Sequence, residues 1–112
     1  MSNSDILEVE HQVAGLKELV LKCEMALRLA ENADFRTLFI DGFCKDEAAR
    51  LVIMSTDPNL KEEIRQSCLA EAQAAGYVKR YLSYIVQAGH TARNGIAQAE
   101  EMLDQLRAEE IS

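Results

Sequence analysis

The chain has 112 residues, a net charge of −7 and 48% hydrophobic residues, with 5% aromatics, no Trp and a single Pro. That length suits one domain, and so few bulky anchors favour helices packed through Leu, Ile, Val and Ala over a β-sandwich. The acidic balance argues against direct nucleic-acid binding, which calls for basic patches, and no run reaches the ~18 apolar residues of a membrane span.

The first predicted helix covers 4–32, capped by Ser4 or Asp5, whose short side chains accept bonds from free backbone N–H groups. Its apolar positions, Ile6, Val9, Val13, Leu16, Val20, Cys23, Leu27 and Ala30, recur at alternating steps of three and four. That spacing holds one stripe on one face of a slightly under-wound helix, as supercoiling requires. On the outer face Glu18–Lys22 and Glu24–Arg28 stand in the acid-first i,i+4 order, a pairing worth about 0.2–0.5 kcal/mol.

Asn32-Ala33-Asp34 reads as a joint, with Asp34 capping a helix that begins at Phe35. Phe35, Leu38, Phe39, Gly42 and Phe43 then share a face that holds all three Phe of the chain. Gly42 is expected to end that helix and Asp46 to cap another over 47–54, so 34–55 reads as two short helices or one bent one. Ser55-Thr56-Asp57-Pro58-Asn59 is the clearest turn, because proline disfavours helical geometry in the residue before it. Asn59 and Glu62 then resemble a capping box.

From there a helix over 59–109 carries the seam Ala75, Val78, Leu82, Ile85, Gly89, Ala92, Ile96, Ala99, Leu103 and Leu106. At 1.5 Å per residue it spans about 75 Å, matching the first helix (about 40 Å) and the Phe-rich segment (about 30 Å) end to end. The expected fold is therefore all-α. It is an antiparallel coiled-coil-like helical hairpin with a short broken helix in the middle, organised as one domain over 1–112. A three-helix bundle is the alternative, if the joint at 32–34 folds back sharply. Gly76, Gly89 and Gly95 are candidate bends in the long helix. Gly89 and Ala92, as small residues on the seam, also let helix backbones approach closely.

No catalytic constellation emerges. His11 and His90 are the only histidines, and the three cysteines, Cys23, Cys44 and Cys68, lie far apart with no CxxC pair. Neither a zinc site nor a disulfide framework fits that spacing. Cys44 beside Lys45 has no base near it in sequence, and a nucleophile needs an activating partner. No phosphate-binding glycine loop occurs, and no cofactor is expected. The N-terminus lacks the basic start and apolar core of a signal peptide, so an intracellular protein is expected.

The candidate contact residues lie elsewhere. Tyr77, Tyr81 and Tyr84 fall three to four apart, flanked by Lys79 and Arg80. Tyr offers apolar area with a polar tip, which suits protein–protein contact; the competing reading is that the rings shield the Phe cluster. Tyr77, Arg80, Tyr81 and Tyr84, with Gly89, Ala92, Phe39 and Phe43, form the expected interaction set.

The block Asp34-Phe35-Arg36-Thr37-Leu38-Phe39-Ile40-Asp41-Gly42-Phe43, then Lys45-Asp46-Glu47-Ala48-Ala49-Arg50-Leu51-Val52 and the Asp57-Pro58 turn, resembles small acidic helical proteins from the structural gene modules of tailed bacteriophages. The resemblance covers roughly residues 25–105. It implies a non-enzymatic virion or assembly protein, an oligomer or part of a larger assembly, built in the host cytoplasm. Its partners would be further copies of itself or a larger capsid, neck or tail protein. The alternative is a small phage-encoded inhibitor that docks on a host or defence protein through its acidic surface.

Overall fold

A computed structural model describes residues 2–111 of the protein. All regular structure among the described residues is helical: α1 (Ser2–Glu31), α2 (Ala33–Phe35), a π-helical segment (Arg36–Glu47), α3 (Ala48–Ser55) and α4 (Glu62–Ile111). The fold is the expected all-α, coiled-coil-like helical hairpin. The chain forms two compact units: the residues up to Ala26 with those from Ile85 onward, and Leu27–Tyr84.

In the first unit α1 packs against the C-terminal half of α4. Ile6, Val9, Val13 and Leu103 form a buried cluster, with Ile96, Ala99 and Leu106 against it. Each such aliphatic side chain contributes about 1.5–3 kcal/mol when removed from water. The pairing is antiparallel, since Glu10 lies opposite Arg107, Leu16 opposite Gly95 and Cys23 opposite Gly89. The backbones come close together at Gly89, where an added Cβ would stand 2.1 Å from Cys23 Cβ and 3.3 Å from the Leu19 carbonyl oxygen. Only glycine fits there. Cys23 is fully buried, and its Sγ donates to the Val86 carbonyl at 3.4 Å.

Ion pairs on this unit cross between helices rather than run along α1. Arg93 Nη2 lies 3.4 Å from Glu24 and Arg107 Nη2 lies 3.2 Å from Glu10. Glu24 therefore reaches across to α4 instead of down to Arg28, and Glu18 and Lys22 do not pair. Both of these cross-helix pairs are about half-exposed, so each contributes little over hydration.

In the second unit α1 stops at Glu31 and Asn32 turns extended (φ −70°, ψ 122°). Asn32, not Asp34, is the cap: its Oδ1 accepts from Phe35 N at 2.9 Å. Both residues are capping types, but only Asn32 stands immediately outside the first helical residue. Gly42 does not end a helix, nor does Asp46 start one. Arg36–Glu47 runs through both in the wider i→i+5 winding of a π-helix. The spacing of the Phe residues by four keeps their rings on one side. Phe35 and Phe39 stack with centroids 5.0 Å apart, and Phe39 and Phe43 follow at 5.4 Å. Gly42 has a local role, since a Cβ on it would lie 2.9 Å from the Thr37 carbonyl oxygen one π-turn back.

α3 ends at Thr56, whose N–H and hydroxyl both bond to the Ile53 carbonyl. Asp57 Oδ1 then accepts from Asn59 N at 2.9 Å, and the helix resumes when Arg65 N bonds Lys61 O. The expected Asn59–Glu62 capping box does not form, because Asn59 is committed to the turn and Glu62 to Arg65 and Gln66. The turn returns the chain so that Leu51 packs on Cys68 and Ala72, with Met54 against them. The middle segment therefore runs along the start of α4 through α3. α4 is unbroken through Gly76, Gly89 and Gly95.

Candidate interaction site

The spacing of Tyr77, Tyr81 and Tyr84 by four and three places them on one face of α4, and that face is open. The three residues are 67%, 49% and 70% exposed. Arg80 joins them around a shallow, mainly apolar depression, and Lys79 is exposed beside it. Such a surface presents flat rings that lose little conformational freedom on contact, polar tips that tolerate water, and a guanidinium able to pair with a carboxylate or lie on a ring.

The Phe ladder is a separate feature. Phe39 and Phe43 are half-buried, with their rings tilted 36° to each other, and among the described residues no ring contact joins them to the tyrosines. The tyrosines are therefore not a lid over the phenylalanines. Gly89 and Ala92 also fall outside the open surface. Both are buried in the seam against α1, so their small size serves close packing within the chain and leaves nothing for a partner to touch. Of the eight expected contact residues, Tyr77, Arg80, Tyr81 and Tyr84 come together on an accessible face, Phe39 and Phe43 form a partly covered ladder, and Gly89 and Ala92 are interior.

Groups with chemical potential are scattered. His11 and His90 are exposed on different helices, and Cys44 is half-buried in the π-helical segment. Among the described residues no three His, Cys, Asp or Glu side chains are placed to hold a metal ion, and no helix is long and apolar enough to cross a membrane. A groove between α1 and α4 in the first unit mixes Glu10, Glu100 and Asp104 with Lys17 and Arg107, so it presents both charge signs to solvent rather than a carboxylate pair. Among the described residues the one clear electrostatic perturbation is at the start of α3. A hydrogen bond from Arg50 holds the Glu47 carboxyl below the usual carboxylate range, and the same bond raises Arg50. Arg50 also donates to Met54 Sδ at 2.9 Å, which fixes it along α3.

No family model, curated protein or solved structure matches the chain.

Proposed function

We propose that this protein acts without catalysis, as an assembly component that works by helix-to-helix contact. In that reading it is a tailed-phage virion or assembly protein, packing beside copies of itself or onto a larger capsid, neck or tail protein. The observation that carries the reading is the open Tyr77–Tyr81–Tyr84 face with Arg80, three aromatic side chains left in solvent by a fold short of aromatics. Aromatic residues and Arg are the types enriched where proteins meet.

The test has two arms. Mass spectrometry of purified particles should find the protein at a fixed ratio to the structural proteins. Tyr77→Ala with Tyr84→Ala should lower its incorporation while leaving its helical circular dichroism unchanged. Early expression together with absence from particles would overturn the assembly reading and favour the inhibitor.

A further inference from the structure

α1 carries a second apolar stripe that its seam does not use. Leu7, Leu21 and Met25 are 66%, 55% and 57% exposed, and Ala14 is exposed between the two leucines. Leu7, Ala14 and Leu21 are seven residues apart, so they lie along one line of the helix. At 3.6 residues per turn that line stands about 110° around α1 from the buried seam of Ile6, Val9 and Val13, with Ala14 at the edge of the groove beside α4. A helix with one core face ordinarily presents polar residues there.

Three members of the stripe, Leu7, Ala14 and Leu21, form a palindrome. Ala14 stands midway between the leucines, so two copies of α1 laid antiparallel across a two-fold axis at Ala14 place each Leu7 against the other copy's Leu21. The small side chain sits where the helices cross, which permits close approach. The charges on one flank obey the same symmetry. Glu8, His11, Glu18 and Lys22 line that flank, and in an antiparallel crossing it meets its own counterpart. Glu18 then comes level, within a residue, with the second copy's His11, and Lys22 within two residues of the second copy's Glu8. Each pairing occurs twice. All four side chains are exposed, and among the described residues none of them forms an ion pair or hydrogen bond within its own chain. A surface whose apolar and charged residues are both complementary to themselves under a two-fold rotation is the signature of an isologous contact.

We propose that the exposed Leu7–Ala14–Leu21 face of α1 is a self-association surface whose occupant is a second copy of this chain, bound antiparallel. This rests on the reading of the protein as one that acts by helix contact, but it uses a different helix face from the tyrosines, so the two can fail separately.

Site-specific crosslinking of the full chain in a Cys44→Ser background tests the geometry, since Cys23 and Cys68 are buried. Under mild oxidation Ala14→Cys should crosslink to itself. Leu7→Cys alone should not, because its copies stand about 21 Å apart along the axis. Leu7→Cys mixed with Leu21→Cys should crosslink. In sedimentation, Leu21→Glu should weaken self-association about 30-fold or more, while Tyr77→Ala with Tyr84→Ala should leave it unchanged. Both sets of substitutions fall on exposed side chains, so the fold is retained. A monomer throughout the micromolar range, or efficient self-crosslinking of Leu7→Cys, overturns the proposal and leaves the Tyr-face reading standing. Loss of virion incorporation with the dimer intact separates the two the other way.

Discussion

The two units bury their chains by different means. The first sets branched aliphatics, Ile6, Val9 and Val13, against Leu103 and brings two backbones into contact at Gly89. The second has a smaller cluster, Leu51 with Cys68 and Ala72, and keeps its aromatic residues half-buried or in solvent. A regular alternation of three and four lets every seam position find a facing hole. The second unit instead contains a π-helical segment, whose wider winding does not follow that alternation. Regular spacing thus yields a dense seam, and its interruption leaves surface to spare.

Substitutions can break this contrast, beginning with the largest expected effect. Val9→Ala or Leu103→Ala, both in the dense seam, should each cost about 2–4 kcal/mol, within the range for large-to-small changes in a close-packed core. Urea denaturation would measure it. Leu51→Ala should cost about 2 kcal/mol, because the side chains around it are smaller and fewer; an equal loss at Leu51 would show that the second unit is packed as tightly as the first.

Glycine replacements sharpen the comparison. Gly89→Ala should cost about 2–3 kcal/mol, since a Cβ 2.1 Å from Cys23 Cβ forces the helices apart. Gly15→Ala and Gly76→Ala, one in each unit, meet nothing within 4 Å. Each should raise stability by about 0.5–1 kcal/mol through helix propensity. If Gly89→Ala also stabilises, the close approach at Cys23 is not part of the folded state.

The smallest effect belongs to the exposed Glu47–Arg50 pair. Because Glu47's pKa is lowered in the fold, its contribution is present above the ordinary carboxylate range and is lost as pH falls through the lowered value. Glu47→Gln should therefore lower stability slightly at neutral pH, with the difference from the parent vanishing as pH falls through the acid range.

The seam was legible in the sequence because periodicity reports a face directly. Every C-terminal seam residue from Ala75 to Leu106 is buried or half-buried. Periodicity does not report how far a partner follows that face, and Leu27 and Ala30 continue the α1 pattern yet are exposed. The π winding leaves no mark in the sequence, because a Phe spacing of four suits an α-helix and a π-helix alike. The sequence does not separate Asn32 from Asp34 as the cap, because the two are of the same chemical kind and the extended backbone at Asn32 decides between them. The Tyr face was visible as a spacing, whereas the second stripe of α1 was hidden by the stronger seam on the same helix. Its clue was the interval of seven between Leu7, Ala14 and Leu21.

The close approach of α1 and α4 at Gly89 also places a thiol where no reagent can reach it. Cys23 is fully enclosed, Cys68 is nearly so, and Cys44 is only half-covered. The three sulfurs thus form a graded clock: Cys44 should alkylate first, Cys68 when α3 lifts from α4, and Cys23 only when the helices separate at Gly89. The labelling rate at Cys23 reads the opening of the dense seam without any probe being added.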